Sequence, residues 1–290
     1  MCTARLKAGF SLDRPSAICD EYMALIALTT DYGTSDGYVG AVKGVILGIA
    51  QQATIVDVTH DIAPQDVQHA GFVLWQVLPH FPAGTIHVVV VDPGVGTTRR
   101  ILAVRCHQQV ILAPDHGLLS FVLDEWPADE VRTVTDERHM LGHRSATFHG
   151  RDIFAPVAAH LANGAAISKL GAEAGAWERL PVRLGAEPVD GALKGAVVHV
   201  DHFGNLVTNI RRDQLTWVSP DSGQVLIEAG GKTIRQISRT FADVAVGELV
   251  AYFGSSGLLE VAVNGGSAAR VLRRPHTVTL TVRRSQGMPS

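Results

Sequence analysis

Residues 85–92 read TIHVVVVD, with four valines in succession and only Thr85 and His87 polar before the closing aspartate. A strand exposed on one face alternates apolar and polar residues; a nearly continuous β-branched run must be covered on both faces. The flanking chain supplies the cover. From residue 23 to about residue 171, the strand-like runs ALIALTTD, TIVDVT, ILAVRC and QVILAPD alternate with helical patterns. DGYVGAVKGVILGIA sets Val39, Val42, Ile46 and Ile49 at helical spacing, and DVQHAGFVLWQVLPHF sets Val67, Ala70, Leu74 and Leu78 on one face. GLLSFVLDE and DIFAPVAAHLANG add two further helices. The alternation predicts an α/β sandwich with a largely parallel sheet.

The rhythm changes in GAEAGAWERLPVRLGAEPVDGALKG, residues 171–195, which is rich in Gly, Pro and Ala. Beyond it stand only short runs, AVVHVD, LVTNI, QVLIEA, KTIRQI, ELVAYF, LLEVAV, ARVLRR and TVTLTV, separated by turn residues. That spacing predicts a small all-β domain, a barrel or a sandwich. We divide the chain into a loose, disordered tail at 1–22, an α/β domain at 23–180 and a C-terminal β-barrel domain at 181–290.

The 290 residues are 46% hydrophobic and 18% charged, with a net charge of −3. That balance suits a filled core and gives no global attraction to nucleic acid or anionic lipid. No apolar run approaches the roughly 20 residues of a membrane span. The paired arginines at 99–100, 273–274 and 283–284 read as solvated strand ends. Cys2, Cys19 and Cys106 form neither a disulfide framework nor a metal-knuckle spacing. Cys106, inside ILAVRC, reads as a buried free thiol, and the expected location is the cytoplasm.

In an open α/β sheet, ligands lie beyond the carboxyl ends of the strands, and the polar clusters of this chain fall there. TTDYGTSDG carries Asp31 and Asp36; VDPGVGTTRR carries Asp92 and Arg99; APDHGLL and TFHGRDIF follow. Each has a plain alternative. Asp36 and Asp152 read equally as helix N-caps, the preferred reading for Asp152. DPGVG reads as a turn, and His149 as a loop histidine beside a helix start. Asp57, His60 and Asp61 in VDVTHD are metal-ligand types without a third cluster, so no metal is expected. The glycine-rich stretches match neither GxxxxGK[ST] nor a clean GxGxxG.

Taken in order, LTTDYG…DGYVGAVKGVI, IVDVTHDI, FPAGTIHVVVVDPGVGT, APDHGLL, TFHGRDIFAPVAAHLA, DHFGNLVTNI and GSSGLLEVAVN resemble the S-adenosyl-L-methionine hydroxide adenosyltransferases, relatives of the fluorinase and chlorinase. The resemblance runs from about residue 24 to residue 284. It implies an α/β domain joined to a β-barrel, and a homotrimer that binds substrate between the N-terminal domain of one subunit and the C-terminal domain of the next. It also implies hydrolysis of S-adenosylmethionine to adenosine and methionine by attack of a water-derived hydroxide on ribose C5′.

On that resemblance Asp92, Arg99 and His149 match the catalytic set, Asp31 a ribose contact and Asp36 a further substrate contact. Asp201, Phe203 and Asn205 match contacts to the methionine and the base, and Ser255 a contact to the methionine carboxylate. The halogenases have arginine beside that serine where this chain has Ser256. They also carry a hydroxyl residue where FHGRD has Gly150, and a long insertion where only His107 and Gln108 stand here. Both departures point to hydroxide rather than halide. The alternatives are a halogenase using chloride or fluoride, or a protein that binds S-adenosylmethionine or adenosine without turnover. S-adenosylmethionine is the substrate and no separate cofactor is expected; neither nucleic acid nor membrane is an expected partner.

Overall fold

A computed structural model describes residues 24–190, 192–215 and 225–273, and the backbone of 279–284. The tail expected at 1–22, with Cys2 and Cys19, lies outside the described residues. Six strands build the first sheet: β1 (Leu25–Thr30), β2 (Thr54–Thr59), β3 (Ile86–Val90), β4 (Ile101–Cys106), β5 (Gln109–Pro114) and β6 (Ala128–Thr133). Their order is β2-β1-β3-β5-β4-β6. The first four neighbours pair in parallel, whereas β4 runs antiparallel to both β5 and β6. β4 turns into β5 through His107 and Gln108, both at positive φ, 48° and 59°. This is the twist a two-residue hairpin requires.

β3 is buried along its whole length, as its composition requires. Val88 and Val90 point into one core and Val89 and Val91 into the other, the two-residue period of a strand between two layers. Helices α1 (Tyr38–Ile49) and α4 (Ala155–Ala162) cover the first face with Val42, Ile46 and Val157. Helices α2 (Val67–Val77) and α3 (Ser120–Glu125) cover the second with Phe72, Leu74 and Phe121. Cys106 is a buried free thiol on this second face, and burial pushes its pKa up to about 12.

The C-terminal strands are β7 (Glu187–Val189), β8 (Ala192–Val200), β9 (Leu206–Arg211), β10 (Val225–Ala229), β11 (Lys232–Ile234), β12 (Leu249–Phe253), β13 (Leu258–Val263) and β14 (Thr279–Arg284). They form an antiparallel sheet in the order β11-β10-β14-β8-β9-β13-β12, with β7 on β8. One predicted strand is corrected. The first residues of ARVLRR form a helical turn, α5 (Ala268–Val271), because Ser267 caps it by accepting from the Arg270 amide. Ala269 N also donates to the Gly204 carbonyl.

The two halves share a core: Val198, Val207 and Leu258 belong to the same apolar cluster as Phe72 and Phe121. His199 stacks on Phe72 with ring centroids 4.9 Å apart, and Gln68 Nε2 donates to the Val198 carbonyl at 2.9 Å. Arg211 pairs with Glu125 through both guanidinium nitrogens, at 2.5 and 3.2 Å. No helix among the described residues is long and apolar enough to cross a membrane.

Candidate active site

Because β2 and β3 flank β1, the chain changes direction across the sheet between the carboxyl ends of β1 and β3. Such a switch point is where an open α/β sheet has its crevice. Asp31 and Tyr32 leave β1 there, and Asp92 follows β3. Gly94 N donates to Asp92 Oδ1 at 3.2 Å and Val95 N to the Asp92 carbonyl, so DPGVG is indeed a turn, wound on the aspartate it starts from. Gly96 has φ 79°, and a Cβ there would lie 2.5 Å from the Ala146 carbonyl oxygen. Glycine thus lets this turn seat against the loop that leads into His149.

The result is one joined set of side chains. Arg99 Nε is 2.9 Å from both Asp92 oxygens, and its Nη2 also donates to Oδ2. The same Nη2 donates to His149 Nδ1 at 2.7 Å. The side chains of Asp92 and Arg99 are 5% and 8% exposed, so this is a desolvated, charge-assisted pair. The structure brings all three sequence-predicted catalytic residues together.

Arginine has no acceptor atom, so His149 Nδ1 must accept and the neutral ring carries its hydrogen on Nε2. Burial and then the Arg99 charge lower the His149 pKa below the usual histidine value, against the opposing pull of Asp92 and Asp152. Burial pushes the Asp92 carboxyl upward. Hydrogen bonds from His116 and Arg99, with their charges, outweigh it and hold Asp92 below the ordinary carboxylate range.

Sequence reasoning attached no role to His116, yet its Nε2 donates to Asp92 Oδ1 at 2.9 Å. Its position two residues beyond a strand end was the available signal. Arg100, expected as part of a solvated pair, is instead bonded to the buried Asp115 carboxylate at 2.9 Å.

The Asp152 N-cap reading is overturned. Asp152 is fully buried within a π-type turn, Gly150–Phe154, in which the Ala155 amide reaches back five residues to the Gly150 carbonyl. Pro156 has no N–H to offer the Asp152 carbonyl four residues earlier, and Leu141 N takes that acceptor instead at 3.0 Å. The Asp152 carboxylate binds Ser145 N at 2.7 Å and Arg151 Nε at 2.6 Å. Asp152 therefore clamps the 141–145 loop to the turn that follows His149. Asp36 is no cap either: Gly37 holds the N-cap position of α1, and no side-chain bond caps that helix.

A hollow of about 470 Å³ opens beside this group, lined by Asp31, Tyr32, Tyr38, Ser145, Phe148 and Arg151 among others. Asp31 stands at its wall and accepts from Gln65 N at 2.9 Å. Asp36 is exposed and does not line it. Asp92, Arg99 and His149 are not among its lining residues, whereas Tyr32 is.

The C-terminal candidates meet in a second hollow, of about 670 Å³, to which Asp201, Phe203, Asn205 and Ser255 all contribute. Asp201 Oδ1 accepts from the amides of Phe203 and Asn205 at 2.9 and 2.8 Å, and Oδ2 from Asn205 Nδ2 at 2.7 Å. These bonds hold the DHFGN loop so that Phe203 stands out 73% exposed. Ser255 is exposed, while the Ser256 hydroxyl is buried and has no hydrogen-bond partner among the described residues. Glu260, which the sequence did not mark, also lines this hollow; burial and the Asp201 charge raise its pKa despite a hydrogen bond from Tyr252. Among the described residues none lines both hollows.

Asp57, His60 and Asp61 do not converge as metal ligands. Asp57 is held by Lys43 at 2.6 Å and His60 at 3.0 Å, and the other His60 nitrogen meets Thr30 Oγ1 at 2.8 Å. Among the described residues no group of three or more His, Cys, Asp or Glu is placed to hold a metal ion.

A layered α/β sheet with a hydrogen-bonded Asp–Arg–His set beside a hollow at its switch point defines an enzyme of small-molecule chemistry. Residues 26–171 match the N-terminal domain of the SAM hydroxide adenosyltransferases, and residues 195–275 match their C-terminal domain. The chain belongs to the SAM hydroxide adenosyltransferase family. An (R)-S-adenosyl-L-methionine hydrolase of Salinispora arenicola is 42% identical over 259 residues, covering 85% of this chain and 93% of that one. A fluorinase of Actinopolyspora mzabensis is more distant, at 30% identity over 90% of this chain and 97% of its own. Among solved structures, an uncharacterized conserved protein of Thermotoga maritima superposes with a TM-score of 0.83 at 37% identity, covering 89% of this chain and all of that one.

Proposed function

We propose that the protein hydrolyses S-adenosylmethionine to adenosine and methionine. The observation that carries this reading is the single hydrogen-bonded set of Asp92, Arg99 and His149 in a chain so close to a named hydrolase. The leaving group is a neutral thioether departing from a sulfonium, so no acid is needed to expel it. What the site must supply is an oxygen aligned with the C5′–S bond and a destination for its proton.

The new bond joins the water oxygen to C5′, and the C5′–S pair stays on sulfur. Arg99 offers charge to the developing hydroxide. His149 is the proton acceptor, and Nδ1 is its only basic position. Arg99 occupies that atom in the resting site, so the ring takes the proton as Arg99 exchanges the contact for the oxygen. Asp92 holds Arg99 throughout.

Asp31 accepts the ribose hydroxyls. Asp36, exposed on the same loop, is a substrate contact that would have to draw in on binding. Asp201, Asn205 and Ser255 address the methionine part, and Phe203 offers a face to the base. The separation of the two hollows supports a homotrimer in which the C-terminal hollow of one subunit completes the N-terminal hollow of the next. We also propose that the C-terminal sheet at 181–290 curls into a barrel, and that the α/β part at 23–180 is a domain docked onto it through the shared apolar cluster. The protein works in the cytoplasm on a small molecule, without metal or separate cofactor, nucleic acid or membrane.

The test is to incubate the pure protein with each sulfonium epimer of S-adenosylmethionine and separate the products. Adenosine and methionine are expected, from the (R) form first, given the relative's name. Parallel samples with chloride and fluoride address the halogenase alternative, and a 5′-halogenated nucleoside would overturn the hydrolase reading. Tight binding without product would establish a binding protein instead.

A further inference from the structure

Tyr32 is an aromatic side chain in the lining of the N-terminal hollow. Its ring packs edge-on against Phe148 at 5.9 Å and tilted against Tyr38 at 6.0 Å, which fixes the direction of its hydroxyl. That hydroxyl lies over Gly150: a Cβ built there would stand 2.2 Å from Tyr32 Oη and 3.1 Å from Cζ. Among the described residues the hydroxyl makes no hydrogen bond. Tyr32 also lines the hollow beside Asp92, Arg99 and His149, and its neighbours in sequence and space are Asp31 and His149–Gly150.

We propose that Tyr32 is a further residue of the hydrolytic site, its hydroxyl donating to the attacking oxygen on the hollow side, and that Gly150 is glycine because this hydroxyl occupies the space of a side chain. The inference rests on the hydrolase reading and deepens it. A hydroxyl at this point can come from residue 32 or from residue 150 but not both, because any side chain at 150 would set its Cβ 2.2 Å from the Tyr32 hydroxyl. This chain takes the first solution. Burial, with the Asp31 and Asp92 charges, raises the phenol pKa well above its ordinary value. Tyr32 therefore stays protonated and acts as a donor; the proton of the attacking water still goes to His149.

The experiment compares Tyr32→Phe, Gly150→Ala and the double variant with the unaltered chain, following adenosine release from S-adenosylmethionine and checking each fold by circular dichroism and melting. Tyr32→Phe keeps the ring contacts and is expected to lower kcat about ten-fold, the worth of one hydrogen bond, with KM held. Gly150→Ala is expected to be far more damaging in the unaltered chain than in Tyr32→Phe, where the nearest ring atom stands at 3.1 Å. Wild-type kcat in Tyr32→Phe, or an equal cost of Gly150→Ala in both backgrounds, overturns the proposal. If the unaltered chain releases no adenosine, the hydrolase reading itself has failed, an outcome distinct from either of these.

Discussion

Arg99 donates to His149 Nδ1 at 2.7 Å, so the histidine is held as a neutral ring by the residue that is itself held by Asp92. Positive charge beside the ring disfavours a second one. Replacing Arg99 by Gln removes that charge, so the His149 pKa should rise toward the ordinary value of about 6.5. Titration of the ring by NMR in the two proteins measures it. An unchanged value would mean that burial alone sets the ring's acidity.

The low pKa has a consequence for the rate. On the proposed mechanism neutral His149 is the active form, and the neutral ring persists down to its depressed pKa. The acid limb of kcat/KM should therefore fall below pH of about 6.5, and His149→Ala should abolish the limb along with most turnover. A limb at or above that pH would contradict the neutral assignment.

Asp92→Asn leaves the nearly buried Arg99 guanidinium unneutralised. Turnover should fall by about 10²-fold or more, while calorimetry still finds substrate binding. The broken pair should also lower stability, by up to about 3–5 kcal/mol in a urea titration.

His116 steadies the same carboxylate. His116→Ala should cost about 1 kcal/mol of transition-state stabilisation, roughly five-fold in kcat. His116→Gln, which can still present an N–H, should recover most of it. Equal rates in both variants would leave His116 as packing only.

His87 is buried against Gln109 at 2.6 Å, and burial pushes its pKa down to about 4. Between pH of about 6.5 and that value the unfolded chain binds a proton that the native one refuses, so stability is lost as pH falls through this window. Urea midpoints across it should drop steeply for the native sequence and more gently for His87→Gln.

The layers of the α/β part were legible because β3 and its neighbours are so apolar that only a two-sided cover satisfies them. The meeting of Asp92, Arg99 and His149 was legible through VDPGVGTTRR and TFHGRDIF, two of the ordered motifs that carry the family resemblance. The π-type turn at residue 150 was not. It arises from a proline whose missing N–H frees a carbonyl for Leu141, a partner nine residues before that turn begins in sequence. β6 was missed because ADEVRT carries three charges in six residues. The helical turn in ARVLRR was missed because its anchor, the Gly204 carbonyl, lies more than sixty residues away. Tyr32 and His116 lacked any local signal beyond their place at strand ends.

The apolar cluster in which Val198, Val207 and Leu258 join Phe72 and Phe121 makes the boundary between the halves a seam rather than a hinge. Severing the chain there would expose oily surface on both fragments, and neither would be expected to stay dissolved alone. Heat should accordingly dismantle the molecule in one cooperative event.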